Sequence, residues 1–306
     1  MSRDFTPPDL SDLGRDLSDS DARPVGAPSQ DRDRRQRTPP TRAQTRTPER
    51  RPEDRRPDIQ FRDGRAVLYD RDRGYPLNES EIRTIVELGK FRVIATHDLS
   101  QHAYAGNREP ADRDVHNLIR QGLARKGTFE GPEASPRELV TLTKRGHRLL
   151  RANRLAPQGQ AVYYGFVKPR EANHDADLYR LYQKEATRIE AKGGRNLRVI
   201  LDYELKRKIN RDIARLGTEA RPQIAARHGL QVVRNKIPVP DLRIEYETRE
   251  GDAARVNLEL VTEHYRGRHV ADKVHAGFSL YTPHGEADHL RRVLDQHELT
   301  AEILSL

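Results

Sequence analysis

Two acids in the C-terminal half of the chain, Asp241 and Glu259, fall where a β-hairpin would make them neighbours. Leu242, Ile244 and Tyr246 alternate along one run, and Ala254, Val256, Leu258 and Leu260 along the next, with Gly251 at the turn. Each run therefore has an apolar face of period two. Pairing 242 with 258 and 244 with 256 buries both sets. It puts Asp241, Arg243 and Glu245 on the other face with Arg255, Asn257, Glu259 and Val261. Two carboxylates brought that close repel each other unless a cation, a proton or a basic side chain lies between them. An oxygen-ligated divalent ion such as Mg²⁺ meets the need without cysteine or clustered histidines. Arg243 and Arg255 meet it as well, which leaves a salt-linked sheet face without a cofactor as the alternative.

The elements that must position this hairpin follow from the pattern around it. Ala161–Lys168 is a strand-like run, and Asn173 caps a long helix carrying Leu178, Leu181, Tyr182, Ala186 and Ile189. Leu197–Leu201 reads as a strand. Asp202 opens a helix with Leu205, Ile209 and Ile213 on one side and Lys206, Lys208, Arg211 and Arg215 on the other. After the hairpin come a helix from about His269 to Leu280, another from Glu286 to Gln296, and a last strand at Thr300–Leu304. Interspersed helices and strands imply a small mixed sheet flanked by helices.

The N-terminal half has a different rhythm. Ala66–Tyr69 is strand-like and ends at the turn Asp70–Gly74. Asn78 and Glu81 have capping-box spacing ahead of Ile82, Ile85 and Val86, a second helix starts at Thr96, and a third runs from about Pro110 to Gly122. Strands Ala124–Phe129 and Glu138–Leu142 follow, then a helix opened by Thr143-Lys144-Arg145-Gly146. Three helices, a hairpin and a closing helix make the order of a winged helix. In the third helix Val115, Leu118, Ile119 and Leu123 form a core stripe, and Arg113, His116, Asn117 and Arg120 recur at i, i+3, i+4 and i+7. Arg and Asn can make bidentate contacts to base edges, so that stripe suits major-groove reading. Arg125, Lys126 and Arg137 on the hairpin, with Lys144 and Arg145 after it, would then contact phosphates.

Pro240-Asp241, a hairpin and Glu259-x-Val261 together resemble the PD-(D/E)XK nuclease superfamily. The resemblance implies that Asp241 and Glu259 hold a metal that activates water for phosphodiester cleavage. Val261 stands where the pattern has lysine, so Lys273 on the next helix is the substitute, and Glu204 corresponds to an additional acid. A winged helix, a helix near His174, Glu204 with Lys206-Arg207, then Asp241, Glu259, Lys273 and Tyr281 in that order is similar to the replication-relaxation protein family of plasmids and integrative elements. That likeness covers about residues 76–282 and implies a role in mobile-element replication or DNA relaxation.

Composition frames these expectations. The chain has 306 residues, 34% hydrophobic and 34% charged, with a net charge of +9 that suits a polyanionic partner. No cysteine is present, which excludes disulfides and thiolate sites, and neither an apolar span nor a signal-like start occurs. A cytoplasmic protein without membrane contact is expected. No Gly-rich phosphate loop is present, so no nucleotide cofactor is implied. Residues 1–60 hold nine prolines and thirteen arginines with little apolar material and read as a disordered arm, net negative over 1–22 and net positive over 23–56. The expected organisation is α+β: the arm (1–60), a short lead-in (61–75), a winged helix-turn-helix domain (76–155) and an α/β restriction-endonuclease-like domain with a small mixed sheet (156–306). Double-stranded DNA is the expected partner. The competing reading is a non-enzymatic winged-helix transcriptional regulator whose C-terminal domain serves as a homodimerisation scaffold.

Overall fold

The computed structural model describes residues 59–131, 135–166, 168–262, 267–282, 287–296 and 303–305. The expected arm, apart from its last two residues, lies outside them. The first element is a hairpin of β1 (Ala66–Asp70) and β2 (Arg73–Leu77). It is tighter than expected, because the chain turns at Arg71, which adopts φ +55, and then re-enters the sheet to bury Tyr75 and Leu77. Next come α1 (Glu79–Lys90), β3 (Ile94–Ala95), α2 (Thr96–Ala103), α3 (Arg108–Arg120), β4 (Ala124–Glu130), β5 (Pro136–Leu142) and α4 (Lys144–Ala152). The strands form an antiparallel sheet in the order β3-β5-β4. The capping box at α1 is complete: the Asn78 side chain accepts from the Glu81 N–H at 2.7 Å, and Glu81 Oε2 accepts from the Asn78 N–H at 2.8 Å.

The sequence Leu142-Thr143-x-x-Gly146-x-x-Leu149 has a physical reading here. Thr143 caps α4, accepting from the Gly146 N–H at 3.1 Å while donating to the Gly122 carbonyl at 2.7 Å. Leu142 and Leu149 are fully buried. Gly146 faces the Leu123 carbonyl oxygen so closely that a Cβ would lie 2.1 Å from it. Because backbone is met, nothing can swing aside. Gly146→Ala is expected to lower stability by about 1–3 kcal/mol through overpacking, read as a fall in urea midpoint. An unchanged midpoint would mean that α4 shifts freely on the sheet.

The C-terminal part contains α5 (Pro169–Ala191), β6 (Arg195–Leu201), α6 (Asp202–Leu216), a 3₁₀ turn at Thr218–Ala220, α7 (Arg221–Arg227), β7 (Leu242–Glu247), β8 (Ala253–Leu260), α8 (Gly267–His275), β9 (Ser279–Thr282), α9 (Ala287–Gln296) and β10 (Ile303–Ser305). One mixed sheet has the order β10-β9-β8-β7-β6, antiparallel from β6 to β8 and parallel from β8 to β10. The register of β7 on β8 pairs Leu242 with Leu258 and Ile244 with Val256, as the alternation predicts. Three expectations fail locally. Ala161–Lys168 is no strand over its described residues, because its donors go elsewhere: Tyr163 N–H to the Gly89 carbonyl and Gly165 N–H to the Leu142 carbonyl. The long helix begins at Pro169 rather than at an Asn173 cap, proline being at home in a first turn. The helix from about His269 does not reach Leu280: it stops at His275, Gly277 takes φ +75, and Leu280 and Tyr281 are buried in β9.

One apolar core runs through residues on both sides of position 156. Phe91, just after α1, packs on Tyr179 and Tyr182 of α5 with ring centroids 5.1 and 5.0 Å apart. The arrangement is thus α+β with small sheets. Among the described residues, no helix is long and apolar enough to cross a membrane.

Candidate functional site

Helices α5, α6 and α8 converge on Asp241 and Glu259. Asp241 immediately precedes β7, and Glu259 lies on β8 with no exposed surface. The Asp241 N–H donates to Glu259 Oε2 at 3.2 Å, and Asp241 Oδ2 accepts from the Leu260 N–H at 3.0 Å. Lys273, from α8, puts Nζ 2.6 Å from Glu259 Oε1 and donates to the Val239 carbonyl at 2.7 Å. His174, from the first turns of α5, holds Nε2 3.6 Å from Asp241 Oδ1. At the start of α6, the Asp202 N–H donates to the Asp241 carbonyl at 3.1 Å and its carboxylate holds Lys206 Nζ at 2.5 Å.

Electrostatics follow from this packing. Burial alone would lower the His174 pKa, but the hydrogen bond and charge of Asp241, then Asp175 and Glu259, override it and carry the value up to about 9. Burial likewise would raise Asp241, yet His174, Lys273 and the Leu260 N–H together hold it below the ordinary aspartate range. Asp175, beside His174, is pushed up to about 6 chiefly by burial, against the pull of His174 and Arg92. His174 thus keeps its proton through neutral pH beside Asp241, and the Lys273 side chain lies against Glu259.

This compensation differs from the salt-linked face that sequence alternation suggested. Arg243 is buried and spends its guanidinium on Asn257 Oδ1 at 2.7 Å, the His228 carbonyl at 2.6 Å and the Gly229 carbonyl at 3.3 Å. Burial, then the charge of Arg255, pull its pKa down to about 10. Arg255 lies across from Glu245 and against Gly229. Val261 is buried with Val270, Leu280, Leu290 and Leu294, so an apolar side chain occupies the place of the pattern's lysine. Glu204 is buried too, but its partners are Tyr163 at 3.1 Å, Arg198 at 3.1 Å and Lys208 at 2.6 Å. The acid of α6 joined to Asp241 is Asp202. His174, Asp175 and Asp202 carry no mark of this role in local spacing, since α5 and α6 meet the hairpin only through the fold.

Among the described residues, no group of three or more His, Asp or Glu forms a metal cage. Mg²⁺ is commonly held by one or two carboxylates with water and substrate phosphate completing the shell. Asp241 and Glu259 supply that donor chemistry, an ionised carboxylate offering about four lone-pair sites. In the structure their four oxygens face Lys273, the Asp241 N–H, His174 and the Leu260 N–H, so an ion would share these oxygens with donors already in place.

Of the residues expected to contact DNA, Arg113, His116, Arg120, Arg125, Lys126, Lys144 and Arg145 are exposed. Two of the residues expected to touch DNA are not. Asn117 is buried and donates to Glu81, because the capping-box carboxylate is itself sealed from water and needs a donor for its second oxygen. Arg120 binds Asn117 Oδ1 at 2.8 Å, so α3 offers Arg113, His116 and a tethered Arg120. Arg137 faces inward, 3.0 Å from Asp98 of α2 and 2.9 Å from Asp177 of α5, where it neutralises two largely buried acids and ties β5 to α5. Set against family models, curated proteins and solved structures, the chain gives no significant match.

Proposed function

We propose that the chain is a double-stranded DNA-binding protein of a mobile element, in which a winged helix (76–155) reads the duplex and an α/β restriction-endonuclease-like domain (156–306) carries a metal-assisted phosphodiester site. The observation that carries this reading is that Glu259 meets both the Asp241 N–H, at 3.2 Å, and Lys273 Nζ, at 2.6 Å, so that residues of β8, α8 and the loop before β7 come together. The order α1, α2, α3, β4, β5, α4 with exposed basic side chains on α3 and β4 supports the DNA-reading part. The mobile-element role rests on the likeness to replication-relaxation proteins.

Asp241 and Glu259 would hold the Mg²⁺, which when bound supplies Lewis-acid polarisation and an acidified water. The chain's own residues prepare that site. His174 keeps Asp241 ionised, and Lys273 fixes one Glu259 oxygen while holding a positive charge available to a scissile phosphate. Asp202 anchors the start of α6 to the Asp241 backbone.

Supercoiled plasmid is expected to be nicked with Mg²⁺ or Mn²⁺, and nicking should disappear in Asp241→Asn and Glu259→Gln. The same ions should raise the melting temperature of the wild type, by mass action, and of neither variant. DNA binding without nicking and without metal-induced stabilisation would overturn the enzymatic part and leave a DNA-binding scaffold.

A further inference from the structure

The segment from Lys206 to Lys236 holds nine Lys and Arg against two acids, Asp212 and Glu219. It thus carries most of the excess of +9 of the whole chain. It comprises most of α6, the 3₁₀ turn, α7 and the following loop. We propose that this segment is a second duplex-DNA surface, which grips the sugar-phosphate backbone along α6 and leads it to Asp241 and Glu259. The proposal extends the DNA reading above to a new face and rests on it for the class of partner.

The geometry of α6 makes the case. Leu205, Ile209 and Ile213 pack with Ile200, Ile224, Leu230 and Phe278. Arg207, Arg211 and Arg215, at i, i+4 and i+8, are all exposed and form one stripe with steps of about 6 Å along the axis. Asp212 is already occupied by Arg215 at 3.3 Å, Arg227 at 3.4 Å and His228 at 2.9 Å. Arg207, Arg211 and Lys236 have no carboxylate within ion-pair distance among the described residues. Arg207 and Arg211 are thus exposed cations without an internal counter-charge, and Arg215 beyond them shares Asp212 with Arg227 and His228, a row that a phosphate backbone would exchange for its condensed ions.

Other polyanions fit less well. A membrane-lying helix needs its apolar face for lipid, and that face of α6 is spent on the core. Single-stranded nucleic acid calls for aromatic stacking platforms, and residues 206–236 contain no Phe, Tyr or Trp. Both ends of the segment also return to the acid pair: α6 begins at Asp202, bonded to the Asp241 carbonyl, and the loop after Lys236 ends in Val239, whose carbonyl takes Lys273. A duplex lying on the stripe would be guided to the site.

The test uses the full chain and a fluorescent duplex of arbitrary sequence, titrated by anisotropy from about 50 to 200 mM salt. The triple variant Arg207→Gln, Arg211→Gln, Arg215→Gln should lose at least about tenfold in affinity at low salt. Its slope of log K against log salt should flatten by roughly 2–3 units, about 0.9 for each phosphate that is no longer neutralised. Its melting temperature should stay put, since the buried face of α6 is untouched. The α3 variant Arg113→Gln, Arg120→Gln is run beside it. If that variant loses binding while the α6 triple matches the wild type, the second surface is overturned and the DNA reading stands. If the wild type binds no duplex, both fail together. Tighter binding of the stripe to oligo-dT or phosphatidylserine vesicles than to duplex, abolished in the triple, would also overturn the assignment.

Discussion

Replacing Lys273 with methionine is expected to cost about 3–5 kcal/mol of stability at neutral pH, the range for leaving a buried charge without its partner. Glu259 has no exposed surface, and the Lys273 ammonium lies 2.6 Å from its Oε1. Methionine keeps the length and packing of the stem and removes only the charge and its hydrogen bonds. The bond to the Val239 carbonyl goes too, which loosens the loop leading into Asp241. Glu259→Gln in the same background should restore more than half of the loss, because the unpaired charge is then gone. Lys206→Met, which breaks an exposed pair with Asp202, should cost less than about 1 kcal/mol and serves as the control. Chemical denaturation of the four proteins gives the comparison. A Lys273→Met loss no larger than the Lys206→Met loss would mean that Glu259 is neutral or hydrated, and the charge-matched site would be wrong.

The parts of this arrangement that could be read from the sequence are those set by local periodicity. Alternation along β7 and β8 predicts their register, because a slip of one residue would turn Leu242, Ile244 and Leu258 outward. Asn78 and Glu81 announce the start of α1 because both halves of a capping box lie within one turn. No periodicity marks Lys273, which only the resemblance singles out; the structure places its Nζ 2.6 Å from Glu259 Oε1. Long-range packing decides the rest. A polar stripe says which side of a helix is not core, but Asn117 lies at its edge and is taken by a buried glutamate on another helix. Strand alternation places Arg243 beside the acids, whereas the carbonyls after α7, an element with no strong periodic signal, claim its guanidinium. Glu204 and Asp202 are two residues apart in α6, and only the docking of that helix decides which one reaches Asp241.

The pH dependence of stability gives the second large effect, through His174. Its folded pKa, about 9, lies above the unfolded value of 6.5. The proton is held more tightly in the native state, so its stabilisation is complete below pH 6.5 and is lost as pH rises through 9. The full shift would be worth about 3 kcal/mol; with roughly a third of the side chain open to solvent, about 1–3 kcal/mol is expected. Asp175, raised to about 6, has the same sign in a lower window: it favours the folded state when protonated, and that contribution fades from about pH 4 to 6. Asp241 opposes both, because its lowered pKa stabilises above the ordinary aspartate value and fails only in acid. The three windows separate, so the interval from 6.5 to 9 reports His174 nearly alone. In metal-free buffer the wild type should lose stability across it, and His174→Gln should be flat there and match the wild type best at pH 9. A wild-type curve as flat as the variant's would show that His174 is neutral beside Asp241, leaving Lys273 to balance the two acids.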